Sequence, residues 1–213
     1  MKKALTKIAL LACLLSAGVP VAVAGAHGGL AASAQAKRAA KQRRARHNRL
    51  RRPDVIFVPT PPETVDEMLR QAHLKKGDVL YDLGSGDGRI PLAAARQYGV
   101  RAVGIDIDPK LVAESNEAAR RESLDHLVSF RNEDLFAADF RDATVVTLYL
   151  SDTLNVMLRP KLLRELRPGT RIISHDFRMG DWTPEKSIRV PWKNLYRTVY
   201  VWTVPRGGRY RKN

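Results

Sequence analysis

Cysteine occurs once in this chain, at Cys13, and no acidic residue occurs in its first 53 positions. A lone thiol excludes an internal disulfide framework and any multi-cysteine metal site. No His/Cys/Asp cluster has the spacing of metal ligands. The glycine-rich segment at 84–88 has no lysine after it in the Walker position, which disfavours a nucleotide triphosphatase. The third glycine of a dinucleotide fingerprint is also missing, because Arg89 stands in its place. With 213 residues the chain can fill one domain with a full core, and hardly two.

Charge is plentiful but unevenly spread. Lysine plus arginine number 37 against 22 acids, for a net +15. Residues 1–53 hold twelve of those bases, so the 25 bases and 22 acids from Asp54 onward nearly balance. Whole-chain basicity is therefore a poor argument for a nucleic-acid-binding fold. Lys2, Lys3 and Lys7 precede the apolar stretch Ile8 to Val23, and Ala22-Val23-Ala24 offers a small-x-small cleavage site. Residues 1–26 are expected to form a signal peptide or membrane anchor. Residues 27–53, rich in Ala, Gln, Lys and Arg, are expected to form a basic flexible linker, and 54–213 the folded domain. Lys37 to Arg52 could tether the chain to an anionic membrane surface or to nucleic acid. Cleavage would deliver the domain to the periplasm. The nine bases after the apolar stretch would instead hold an uncleaved form in the inner membrane with the domain in the cytoplasm.

The most informative segment is Val79-Leu80-Tyr81-Asp82-Leu83-Gly84-Ser85-Gly86-Asp87-Gly88-Arg89: an apolar strand ending in acid, a glycine turn, then a helix start. A second strand, Arg101 to Ile105, ends at Asp106, 18 residues after Gly88, where a carboxylate meets ribose hydroxyls in nucleotide-binding folds. A third, Leu127 to Arg131, leads to Glu133-Asp134-Leu135-Phe136, an acidic-apolar pair suited to an adenine. Asp82, Asp87, Asp106 and Asp134 converging on one cleft suit a cationic ligand better than a pyrophosphate. Thr60-Pro61-Pro62-Glu63 reads as a capping box opening a helix whose Val65, Met68, Leu69 and Ala72 face the core. Strand and helix then alternate to the end of the chain, which closes on an antiparallel pair around Ser187 to Val190 and Tyr196 to Val204.

Four segments carry a closer likeness: Phe57 to Glu63, Tyr81 to Ile90, Val145 to Leu150, and Leu166 to Arg171. Together they resemble a small class I S-adenosylmethionine-dependent methyltransferase family. It comprises bacterial proteins and the mitochondrial protein-lysine methyltransferases that modify adenine nucleotide translocase and ATP synthase. The resemblance implies a single-domain α/β fold, a Rossmann-like seven-stranded sandwich of order 3-2-1-4-5-7-6. It implies S-adenosyl-L-methionine as cofactor, with Gly84, Gly86 and Gly88 beneath its methionine and ribose portions. By the same likeness Asp82 lies near the amino group, Asp106 takes the ribose hydroxyls, Asp134 takes the adenine amino group, and Leu135 or Phe136 packs on the ring.

Methyl transfer needs an aligned, unprotonated nucleophile beside an already activated carbon. Residues after the fourth strand face that carbon in such folds, so Tyr149, Ser151 and Asp152 are candidates, with His175 and Asp176 at the end of the fifth strand behind them. Ser151 and Asp152 equally suit a helix cap, and Tyr149 a plain wall. No Asn-Pro-Pro-Tyr or Asp-Pro-Pro-Tyr follows the fourth strand, against adenine-N6 and glutamine acceptors. The absence of a cysteine after Cys13 opposes cytosine-C5 chemistry. A protein lysine is the expected acceptor, RNA or a small molecule the alternative, and a non-catalytic cofactor-binding module a third possibility. A monomer is expected.

Overall fold

The computed structural model describes residues 52–208. The targeting segment and all of the basic linker before Arg52 lie outside the described residues. Four α-helices and seven strands follow in order: α1 (Pro62–Ala72), β1 (Val79–Leu83), α2 (Arg89–Tyr98), β2 (Arg101–Asp106), α3 (Pro109–Arg121), β3 (Val128–Asn132), β4 (Val145–Leu148), α4 (Asp152–Glu165), β5 (Arg171–His175), β6 (Lys186–Trp192) and β7 (Leu195–Thr203). They form one seven-stranded sheet of order β3-β2-β1-β4-β5-β7-β6. The first five strands are parallel and β7 runs antiparallel to both neighbours.

Side-chain alternation along the strands divides the core in two. Leu80, Ala102, Val128, Val145, Ile173 and Val199 point to one face and meet α1, α2 and α3. Tyr81, Val103, Val146, Leu148, Ile172 and Trp202 point to the other and meet α4. The helix spacing expected of Val65, Met68, Leu69 and Ala72 holds, and all four are buried. Trp202 is fully buried, its Nε1 donating to the Trp182 carbonyl at 2.8 Å.

Two expectations are corrected. Helix α1 begins one residue later than a Thr60 cap requires: Pro61 is the N-cap and no side chain caps it. Thr60 is instead drawn inward, its hydroxyl 3.2 Å from His175 Nδ1. Strand and helix also fail to alternate throughout, because residues 133–144 pass from β3 to β4 without a helix. Ala138, Phe140 and Ala143 are buried along that crossing, with Leu135 and Phe136 packed against the same cluster, so a turn-rich segment covers the sheet as a helix would.

At the amino ends of the strands, Arg171 ties four elements. It pairs with the buried Asp78 at 2.7 Å and donates to the carbonyls of Ala72 and His73 at the end of α1, while Asp78 also accepts from Thr144 Oγ1. The sheet is thus fixed at one end, leaving the carboxyl ends of its strands for function.

Candidate functional site

The carboxyl ends of β1, β2 and β4 open into one cavity of about 430 Å³. Gly84, Ser85 and Asp87 of the glycine loop line it. Gly86 N donates to Asp106 Oδ2 at 2.7 Å, which fixes the loop of β1 to the tip of β2. A methyl group built on Gly86, whose φ is +54°, would lie 2.3 Å from the Phe57 ring, so only glycine lets residues 53–58 fold across the loop. At the N-cap of α2, Gly88 adopts φ +79° and a side chain there would strike Phe130 and Ser115. These two glycines thus admit protein side chains from outside the loop, which loop spacing alone does not reveal.

All four converging aspartates line the cavity: Asp82, Asp87, Asp106 and Asp134. Their environments differ. Asp87 is neutralised by Arg89, which holds both carboxylate oxygens and also donates to the Thr60 carbonyl at 2.7 Å. Asp82 is 2% exposed and accepts from Thr147 Oγ1 at 2.7 Å; burial pushes its carboxyl up to about 7. Asp106 is raised as well, by burial, against the opposing pull of the Asp108 and Gly86 N–H groups. Among the described residues neither Asp82 nor Asp106 pairs with a cation. Two desolvated carboxylates without a counter-charge fit a ligand bringing positive charge and hydroxyl donors, and they repel a pyrophosphate. Of the two residues proposed to face an adenine ring, Leu135 lines the cavity and Phe136 does not.

The remaining candidates separate by position. Tyr149 lines the cavity and stacks on His175, with ring centroids 3.8 Å apart. Burial raises its phenol, so it stays protonated at neutral pH. Ser151 is the N-cap of α4, accepting from Leu154 N at 3.2 Å, and Asp152 is exposed and accepts from Arg178 N at 2.7 Å. Neither is among the lining residues. The structure makes Ser151 a helix cap and Asp152 an anchor for the backbone after β5, and sets Tyr149 alone of the three against the cavity.

His175 lies behind Tyr149, fully buried, and burial lowers it to about 4, so it is neutral at pH 7. Its Nε2 lies 3.4 Å from Asp176 Oδ2 and has no hydrogen-bond partner. Asp176 takes φ +59°, a conformation costly for a non-glycine residue, and three contacts hold it there. Its N–H donates to the Thr198 carbonyl, its Oδ1 accepts from Thr198 N, and its Oδ2 pairs with Arg197 at 3.0 Å. Sequence reasoning missed Thr60, Arg197 and the apolar run Val55-Ile56-Phe57-Val58, whose four exposed residues line the cavity. The position of that run, four apolar residues ahead of the first helix, was the available signal.

Known proteins are similar to this chain in sequence and fold. The family model of the ANTKMT methyltransferase domain matches residues 82–186. A protein-lysine N-methyltransferase from Saccharolobus islandicus is 39% identical over 71% of this chain and 95% of its own length. The human lysine N-methyltransferase of ATP synthase is 34% identical over 64% of this chain, which spans 58% of that protein. Among solved structures, an RNA methyltransferase from Salinibacter ruber in complex with S-adenosyl-L-homocysteine superposes with a TM-score of 0.66 at 51% identity, covering 70% of this chain and 95% of that one. The bound product and the acidic, cation-deficient cavity agree on S-adenosyl-L-methionine as the cofactor. The chain belongs to the ANTKMT family of class I S-adenosylmethionine-dependent methyltransferases.

Proposed function

We propose that this methyltransferase acts on the ε-amino group of a protein lysine. The observation that carries the reading is the acceptor side of the cavity: Tyr149 flat on a neutral, buried His175, beside the apolar run Val55 to Val58. An aromatic wall in desolvating surroundings suits the stem and head of a lysine. It also lowers the pKa of an amine by withholding water from its charged form. Neither Tyr149, protonated, nor His175, neutral and sealed from solvent, is placed as a strong base. The amine therefore enters already neutral and takes the methyl group as the sulfur–carbon bond breaks, and the methylammonium so formed releases one proton to water. The Saccharolobus relative, of which this chain spans nearly all, supports the same acceptor.

The bound cofactor supplies a methyl carbon activated by its sulfonium. In this reading Asp106 accepts the ribose hydroxyls with its remaining lone pairs, Asp134 accepts from the adenine amino group, and Leu135 packs on the ring. Asp82 faces the ammonium through water, and the turn at Gly84, Gly86 and Gly88 gives the cofactor its floor. Tyr149 and the 55–58 segment orient the acceptor and exclude water. Incubating whole-cell extract with the enzyme and labelled cofactor tests the acceptor. Label in protein, located on lysine by mass spectrometry, is the expected result. Label removed by ribonuclease would overturn it in favour of RNA, the second reading, which the 51% identity to the Salinibacter protein favours.

The targeting reading of residues 1–26 and the tethering reading of residues 37–52 belong to the same proposal. The basic flank on both sides of the apolar stretch supports them. A reporter active on one side of the membrane only, fused after Asn213, distinguishes a periplasmic domain from one anchored in the cytoplasm.

A further inference from the structure

Charge in the folded part divides at residue 185. Residues 54–185 hold 22 acids and 17 bases, whereas residues 186–213 hold eight bases and no acid. The described part of that basic stretch is mainly the β6–β7 hairpin, with Lys193–Asn194 as its two-residue loop. Pairing of β7 with β5 stops at Val199↔His175, so Leu195 to Thr198 run on past the last residue of β5. Four extended residues carry the tip about 13 Å beyond it, at the same end of the sheet as the cavity. The tip is joined to that cavity by side chains in sequence: Arg197 pairs with Asp176, Asp176 lies against His175, and Tyr149 stacks on His175.

The hairpin's surface carries cations placed over aromatic rings. Arg189 lies 4.0 Å over Tyr196, Arg197 4.3 Å over Trp192, Lys193 4.8 Å over Trp192, and Arg178 5.3 Å over Tyr200. Among the described residues Arg178, Arg189 and Lys193 form no ion pair with a carboxylate. Leu195 and Tyr196 are 62% and 56% exposed. Contact with a ring restrains each of these side chains, which lowers the entropy lost when a carboxylate binds. The same contacts occupy ring faces that single-stranded nucleic acid would need for its bases.

We propose that the β6–β7 hairpin is the docking surface for an acidic segment flanking the acceptor lysine of the protein substrate. The proposal rests on the lysine reading above and adds what the substrate must carry. It also gives the surface a chemical purpose. Acidic neighbours hold a lysine in its charged, unreactive form; pairing them with the hairpin removes that support and sets fixed cations near the incoming amine, both of which favour the neutral nucleophile.

Peptides with one lysine flanked by glutamates, and the same peptides with glutamines, test this with the full-length enzyme. Glutamate flanks should raise kcat/KM by about tenfold or more at low salt, chiefly through KM, and about 0.5 M salt should erase most of the gain. The double reversal R189E/K193E should bring the two peptides within about twofold while leaving cofactor affinity by calorimetry unchanged. The neutral pair R189Q/K193Q serves if the reversal lowers the melting temperature. Equal methylation of both peptides by the native enzyme, or a glutamate preference that survives in both variants, would overturn the docking surface and leave the lysine reading standing. Single-stranded RNA that binds the native hairpin, fails to bind the variants and becomes labelled would overturn both.

Discussion

Each oxygen of Asp106 already accepts a backbone N–H, one from Gly86 and one from Asp108, yet each retains a lone pair. Removing the side chain therefore does two things: it withdraws the acceptors available to a ribose, and it frees the glycine loop from β2. Asp106→Ala should weaken cofactor binding about 100-fold or more by calorimetry, since two hydrogen bonds to a charged group are lost. The melting temperature should fall only a few degrees, because the sheet pairing of β2 is untouched. Unchanged affinity would mean that the ribose is held elsewhere. Tyr149 calls for a paired comparison. Its ring rests on His175 while its hydroxyl has no hydrogen bond to a described residue. Tyr149→Phe should keep kcat within about threefold, whereas Tyr149→Ala should lower it about 100-fold with cofactor affinity little changed. A large loss in the phenylalanine variant would show that the hydroxyl takes part in proton movement.

At the scale of elements, the segment before α1 and the glycine loop act as a pair. Phe57 lies where a Gly86 side chain would be, and Arg89 reaches from the loop's end to the Thr60 carbonyl. Phe57→Ala should lower cofactor affinity about tenfold by uncovering the loop. Gly86→Ala should do worse, losing about 1–2 kcal/mol of stability from its positive φ alone and driving the ring away. Denaturant midpoints and calorimetry on the two variants check the order; a harmless Gly86→Ala would show that the segment does not close on the loop. These elements also mark what was legible beforehand. The strand–glycine–helix succession and the acid at the tip of β2 could be read directly, because burial on both sheet faces writes a continuous apolar run and the turn demands glycine. Ser151 and Asp152 were ambiguous for a physical reason: a polar residue after a buried strand serves equally as a helix cap and as a catalytic group, and only position relative to the cavity decides. The β3-to-β4 crossing departs from the expected alternation because Ala138, Phe140 and Ala143 cover the sheet with apolar side chains that lack a helical period. Thr60 and Arg197 were invisible, since their partners His175 and Asp176 stand 115 and 21 residues away.

For the molecule as a whole, the site places two buried groups of opposite titration behaviour at the ends of β1 and β5, on either side of β4, and their effects on stability nearly cancel. Asp82 has its carboxyl raised to about 7 from 3.8, so the folded state holds a proton that the unfolded state has lost. Its contribution falls as pH rises across that interval, by at most about 1.4 kcal/mol per pH unit. His175 is lowered to about 4 from 6.5, so over the interval between them the unfolded state holds the extra proton. Its contribution rises with pH by a similar slope. The ion-paired carboxylates Asp78, Glu67 and Glu165 are lowered, so their share is lost only as pH falls below the ordinary carboxylate range. Between about pH 4.5 and 6.5 the two buried groups therefore oppose one another, and single substitutions should expose each. Relative to the native chain, Asp82→Asn should gain stability as pH rises through this window and His175→Gln should lose it. Urea unfolding at half-unit steps of pH measures both slopes. A pH-independent difference for Asp82→Asn would mean that its carboxyl titrates alike in the folded and unfolded states, and would remove the uncompensated desolvation that is the reason for assigning it to a cation.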